Sequence, residues 1–281
     1  MRLMYIRAAL AASLAMGWAV PAATAAPLGY TGGTITENFN TLPTDATNPT
    51  QLGLPKTAFD LNPAINNVTG LTGWQGNNVL GSSATTDFHS QDGSSGSSAG
   101  RGINSLGTNG STERALGAIP TSNNINQFGL ALTNNSSDTY GSFSLSYTGE
   151  QWRRGEAGVT NTMTFAWGLA ANIDASLTDV GALSFANPNN QAAPTQVAID
   201  GNDPLNQVGV AGVVNSINWA PGQTLVLRWT MSEGSGQDNG LAIDDLSFSA
   251  TPVPEPSSMA LFAVALVGLG GYVTRRRGRR S

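Results

Sequence analysis

Apolar and polar residues alternate through most of this chain, and the alternation has the period of a β-strand rather than a helix. Thr34-Ile35-Thr36-Glu37-Asn38-Phe39-Asn40 predicts a first strand. Phe128, Leu130 and Leu132 share one face of a second. Phe143, Leu145 and Tyr147 share one face of a third, with Ser142, Ser144 and Ser146 opposite. Asn134 to Asp138 between these two predicts a hairpin-type loop. Met163, Phe165 and Trp167 continue the pattern, followed by predicted strands over Val180–Phe185, Val197–Ile199 and Val213–Trp219. Pro221-Gly222 then turns the chain into Leu225, Leu227, Trp229 and Met231, with Val226 and Arg228 opposite. No helical periodicity longer than a turn or two interrupts the series. Short strands separated by turn signals, each with one apolar face, predict an all-β, two-sheet antiparallel sandwich.

The last strand, Gly240 to Phe248, breaks phase. Leu241 and Ile243 lie on one face and Leu246 and Phe248 on the other, with the change across Asp244-Asp245. A β-bulge at the two aspartates would return all four to the core; the alternative is a strand buried on both faces. The Ser/Gly/Asn-rich stretch from Ser82 to Gly110 predicts either a long surface loop or weak strands, and its His89, the chain's one histidine, a solvated position.

Two apolar runs fall outside this pattern. At the start, Arg2 and Arg7 precede an apolar run from Ala8 to Val20, and Ala23-Thr24-Ala25 supplies the small-x-small signal for cleavage after Ala25. Residues 1–25 therefore read as a signal peptide. At the other end, Val253-Pro254-Glu255-Pro256 leads into an uncharged run rich in Ala, Leu, Val and Gly. Arg275, Arg276, Arg277, Arg279 and Arg280 follow it. As a helix over about residues 258–273 the run spans roughly 25 Å, just short of a hydrocarbon core. The arginines hold that end in the cytoplasm and act as a stop-transfer signal. The three parts in this order resemble the PEP-CTERM sorting segment of exported bacterial proteins. The resemblance implies an inner-membrane stage in transit and processing by an exosortase-type membrane protease. It also implies a final place at the cell surface or outside the cell. The division expected is thus 1–25, a sandwich over 26–251, and a sorting segment over 252–281.

Composition narrows the class. The chain has no cysteine, so no disulfide staples an exported sandwich and thiol chemistry is excluded. Between Pro27 and Ala250 there are 17 Asp and Glu against 6 Lys and Arg, with Lys56 the one lysine. Such a surface repels nucleic acid and anionic lipid.

The ending Gly240-Leu-Ala-Ile-Asp-Asp-Leu-Ser-Phe248 resembles the final strand of jelly-roll carbohydrate-binding and laminin-G-like domains, and Glu37-Asn38-Phe39 resembles their first. The resemblance implies that these two strands are neighbours. Some such domains hold a structural Ca2+ between them, and here Glu37, Asp244 or Asp245, with nearby backbone carbonyls, could supply its ligands. The reading preferred for the aspartates is a bulge in which they hydrogen-bond local backbone. Gly149-Glu150-Gln151-Trp152-Arg153 is similar to a motif of cores that carry PEP-CTERM tails, with no activity attached to it. Glu150 with Arg153 or Arg154 suggests an ion pair, and Asp200-Gly201-Asn202-Asp203 a turn.

Trp167 and Trp229, on apolar strand faces, are expected in the core. Trp74 and Trp152, beside glycines or charges, are the candidate glycan-stacking platforms. Glycoside hydrolysis requires two carboxyls about 5 to 10 Å apart, and Glu113, Glu150, Glu156 and Glu233 are candidates by residue type alone. The sequence therefore favours a non-enzymatic structural or adhesive surface protein. The alternative is a glycan-binding module of the exopolysaccharide matrix, and a hydrolase ranks third.

Overall fold

The computed structural model describes residues 26–44, 59–61, 71–78, 88–94, 102–120, 125–190, 197–232, 234, 236–254 and 264. Residues 1–25 and the sorting segment beyond 254 lie outside them, apart from Val264. Among the described residues no helix is long and apolar enough to cross a membrane.

The described strands are, in chain order, β1 (Leu28–Tyr30), β2 (Thr34–Glu37), β3 (Phe59–Asp60), β4 (Trp74–Asn78), β5 (His89–Gln91), β6 (Gly102–Leu106), β7 (Ala115–Ile119) and β8 (Ile125–Asn134). They continue with β9 (Tyr140–Arg154), β10 (Thr162–Leu169), β11 (Thr178–Asp179), β12 (Phe185–Ala186), β13 (Val197–Ala198), β14 (Gln207–Trp219), β15 (Thr224–Ser232) and β16 (Gly240–Pro252). They form two sheets. Sheet A runs β11-β10-β15-β8-β4-β3, with β1 on β8 and β12 on β10. Sheet B runs β13-β9-β16-β7-β6-β5, with β14 on β9 and β2 on β16. All pairs are antiparallel except β1 with β8 and β5 with β6.

The alternation in the sequence places the apolar faces between the sheets. Phe128, Leu130 and Leu132 of β8 and Leu225, Leu227 and Trp229 of β15 face Phe143, Leu145 and Tyr147 of β9. Aromatic rings dominate the seam: Trp229 stacks on Trp74 and Phe128 with centroids 5.9 and 6.0 Å apart, and Tyr30 stacks on Trp219 at 5.3 Å. Such rings each bury 150–250 Å2 or so and add pairwise attraction beyond their area. They supply the cohesion that a cysteine-free exported domain cannot take from disulfides.

The expected neighbours are neighbours. β2 pairs with β16 in the register Glu37 opposite Leu246 and Ile35 opposite Phe248. The bulge is present as well. Asp244 pairs with Thr148 and Ser247 with Ser146, so β16 advances three residues while β9 advances two. Asp245 absorbs the extra residue at φ 48°, and Leu241, Ile243, Leu246 and Phe248 all join the core between the sheets.

Other expectations are corrected. Asn134 to Asp138 is not a hairpin loop: β8 belongs to sheet A and β9 to sheet B, so the loop crosses between layers. Buried Asn134 holds it there, accepting from the N–H of Ser136 (3.0 Å) and donating to the carbonyls of Asp138 (2.8 Å) and Trp219 (3.1 Å). Val180–Phe185 is a 3-10 turn over Gly181–Leu183 that reaches a strand only at Phe185, the start of β12, with Leu183 turned into the core. The serine-rich stretch takes the weak-strand alternative, with β5 and β6 in it, but His89 is buried at 4% exposure instead of solvated. Alternation failed there because both faces of β6 and β7 are covered, so no polar face marks them.

Candidate functional site

The outer face of sheet B carries a second, smaller apolar cluster: Leu106, Ala115, Ile119, Trp152 and Ala242. The turn at Asp200-Gly201-Asn202-Asp203 lies over it. Gly201 has no side chain because the indole of Trp152 occupies that space; a Cβ there would stand 2.3 Å from its ring. Asp203 caps the following 3-10 turn by accepting from the N–H of Leu205 at 2.9 Å, which keeps this loop a turn, as expected.

At the edge of this cluster three carboxyls converge from three separate elements. Glu113 comes from the segment before β7, Glu150 from β9 and Asp244 from β16. Their oxygens lie within 4.8 Å of one another. Glu150 is 1% exposed and Asp244 5%. Glu150 accepts from Trp152 Nε1 at 2.8 Å and from Gln207 Nε2 at 3.0 Å. Asp244 Oδ1 accepts from the N–H of Asp245 at 2.7 Å, and Glu113 accepts from Asn202 Nδ2. Burial, with Glu113 and Asp245 nearby, pushes Glu150 up to about 7. Burial, with the neighbouring Glu150, Glu113 and Asp245 carboxyls, pushes Asp244 up to about 9. Three carboxyls this close do not all ionise without a compensating charge. A proton shared within the group or a divalent cation would supply it, and these are the residues that could hold one.

The calcium set expected from sequence is split. Asp244 turns to Glu113 and Glu150. Across the bulge Asp245 is exposed and joins Glu37 in lining a surface cleft of about 370 Å3, with Thr36, Asn38, Leu246 and Ser247. Glu37 accepts from the N–H of Phe39 at 2.8 Å; burial raises its pKa against that bond. The bulge is the physical reason, because successive residues across it leave the strand in different directions. Two expected groups do gather, Glu37 with Asp245, but not around Asp244. Calcium needs six to eight oxygens or so. In the buried trio four oxygens already accept protein hydrogen bonds.

Both candidate glycan platforms are buried. Trp74 is 2% exposed, packed between Phe39 and Trp229, and Trp152 is 1% exposed under Gly201. An indole without an open face offers nothing for a sugar ring to stack on. Glu150 accepts from Trp152 and Gln207, and the Asp238 carboxyl lies near Arg153. Trp229 is core, as expected, and Trp167 packs partly buried against it. Of the acids named by type, Glu113 and Glu150 do come together, whereas Glu156 does not join them and Glu233 lies outside the described residues. Nothing in the sequence linked positions 113, 150 and 244.

Residues 252–277 match the family model of the PEP-CTERM protein-sorting motif, the recognition signal of the exosortase. The chain is therefore an exported, sorted protein with a transient membrane anchor. A comparison with curated proteins finds no match. Among solved structures the sandwich is similar to TmCBM61, in complex with β-1,4-galactotriose, at 10% identity and TM-score 0.25, over 51% of this chain and 74% of that one. It is similar to the enzymatically active domain of the bacteriophage CBA120 tailspike protein 4 at 11% identity and TM-score 0.33, over 65% of this chain and 20% of that one. It is also similar to the Arthrobacter globiformis T6 isomalto-dextranase complexed with panose, at 14% identity and TM-score 0.26, over 52% of this chain and 20% of that one. Likenesses this remote carry nothing about ligand or reaction.

Proposed function

We propose that this chain is a structural or adhesive component of the cell surface or extracellular matrix, delivered through its sorting segment, with a sandwich that performs no catalysis. The observation that carries the reading is the motif at residues 252–277, with Val253-Pro254-Glu255-Pro256 ahead of the apolar run and the arginines behind it. Pro254 and Pro256 lack backbone donors and disfavour helix at the residues before them. Glu255, between the two prolines in the sequence, is where an exosortase-type protease would act. A sandwich whose large rings are committed to its own core suits a durable extracellular body.

The experiment is the mass and fractionation of the protein in its native host. Wild type is expected to lose the segment, whereas replacement of Pro254-Glu255-Pro256 by alanines leaves a longer, membrane-bound product. Removal of Arg275 to Arg280 lets part of the protein pass the membrane uncleaved. Equal masses in the same membrane fraction for wild type and the alanine variant would make the segment a plain anchor.

A hydrolytic reading has one observation in its favour, the approach of Glu113, Glu150 and Asp244. It needs substrate to reach carboxyls that are 1% and 5% exposed at Glu150 and Asp244, and the closed reading is preferred for that reason.

A further inference from the structure

Below the carboxyl cluster, the outer face of sheet B changes character. Four hydrogen-bonded strands, β2, β16, β9 and β14, present it in register. Thr36, Ser247, Ser146 and Ala211 form one row across them, and Thr34, Ser249, Ser144 and Val213 form the next. Neighbouring strands lie about 4.8 Å apart, so each row crosses roughly 14 Å of surface. The face is furrowed. A hollow of about 370 Å3 is lined by Ser144, Ser146, Ala211, Val213, Ser247 and Ser249. It adjoins the Glu37–Asp245 cleft, since Ser247 lines both. None of the six serine and threonine hydroxyls in these rows has a hydrogen-bond partner among the described residues.

We propose that this face, from the Glu37–Asp245 cleft across Ser247 to Val213, is a docking groove for an uncharged polysaccharide chain. Charge selects the class of ligand. Both rows are without charge, while the domain carries 17 acidic residues against 6 basic ones, and Glu37 and Asp245 close one end. A polyanion is repelled by that surround. A neutral polyol is not, and the carboxylates accept its hydroxyls. A hydroxyl both donates and accepts, so a ladder of free hydroxyls matches a polymer that presents the same group repeatedly. Short side chains on a paired sheet lose little freedom on binding. A protein partner fits less well: Val213, at 58% exposure, is the one large apolar side chain in the rows, and they hold no aromatic or arginine anchor. The groove gives the sandwich a partner without depending on the sorting segment.

The test is native-gel affinity electrophoresis of the full chain in mild detergent, through gels containing dextran, galactan, arabinoxylan or hydroxyethylcellulose, with alginate as the anionic polymer. The expected result is retardation by at least one neutral polymer and none by alginate. Ser144→Arg with Val213→Arg, both exposed positions, should weaken retention about tenfold, which is about 1.4 kcal/mol. Thr164→Arg, exposed on sheet A, should leave it unchanged. Thermal melts check folding, and Ala211→Arg alone replaces the double variant if that one fails to fold. Absence of retardation by every neutral polymer overturns the groove. So does retention that the face variants do not alter, or self-association of wild type that they abolish, which would assign the face to a second copy. Processing of the tail is followed in the same variants. Normal cleavage with lost retention separates failure of the groove from failure of the sorting reading.

Discussion

Glu150 and Gln151 are adjacent on β9 and point to opposite faces, and each enters a buried polar region of a different kind. Gln151, 0% exposed, donates to Asn239 Oδ1 at 2.9 Å and accepts from the N–H of Asn189 at 2.8 Å. Asn239 in turn accepts from the N–H of Gly155 at 3.0 Å and donates to Asn161 Oδ1 at 2.9 Å and the carbonyl of Val159 at 3.0 Å. Asn161 donates to Asp238 at 2.7 Å. Amides carry donors and acceptors together and close such a network by themselves. Glu150 meets Asp244 and Glu113, and ionised carboxylates only accept. Burial therefore yields a brace built mostly of amides, with Asp238 at its end, on one face of the strand and a cluster of carboxyls on the other. The amide region locks the structure, and the carboxyl region makes it responsive.

The largest effect expected of breaking the contrast is on the amide side. Asn239→Leu removes four hydrogen bonds and strands the N–H of Gly155, while Gln151 Nε2 keeps only the carbonyls of Asn189 (3.1 Å) and Arg153 (3.3 Å). The expected loss is about 2–4 kcal/mol by urea unfolding. A loss below about 1 kcal/mol would mean the network does not act as a unit.

Next comes the pH dependence of the carboxyl side. The folded-state pKa values of Glu150 and Asp244, about 7 and about 9, lie above their ordinary values of 4.5 and 3.8. The folded state thus holds more protons than the unfolded chain between these limits. Their contribution is complete below about pH 4 and is lost as pH rises through 7 towards 9, by a few kcal/mol in all. Asp244→Asn should flatten the fall in melting temperature between pH 6 and 9. An unchanged slope would place the responsive groups elsewhere.

A third measurement decides what neutralises the trio. Calcium held at 100 times its dissociation constant stabilises by about 2.7 kcal/mol. A cation site is expected to raise the melting temperature at pH 8 more than at pH 5, where protons compete, and Asp244→Asn should remove the rise. No shift at either pH leaves protons as the neutralising charge.

The smallest effect is at the bulge that separates the trio from the outer cleft. Asp245 has φ 48° and is exposed. Asp245→Gly should change stability by less than about 0.5 kcal/mol, since glycine adopts that conformation freely, whereas Asp245→Val should cost about 1–2 kcal/mol. Equal effects of the two would show that the backbone there relaxes.

Much of this molecule is written locally. Period-two alternation placed β8, β9, β10 and β15, because each has one face on the core and residues two apart share it. The phase change at Asp244-Asp245 announced the bulge for the same reason. The sorting segment was legible from order alone, since its rigid acidic start, apolar run and basic end act through the membrane rather than through the fold. Where both faces are covered, as along β6 and β7, alternation vanished and the strands did not declare themselves.

Only the tertiary structure decided what lies beside what. Trp74 and Trp152 stand among glycines and charges in the chain, yet the layer packed on each side buries both. Glu113, Glu150 and Asp244 meet because β7, β16 and β9 are consecutive in sheet B and the bulge turns Asp244 and Asp245 apart. The hydroxyl rows exist because β2, β16, β9 and β14 align in one register. A strand's own period follows from backbone geometry and is carried by its residues. Strand order, register across a sheet and the covering of an outer face arise from contacts between segments far apart in sequence, and no single segment encodes them.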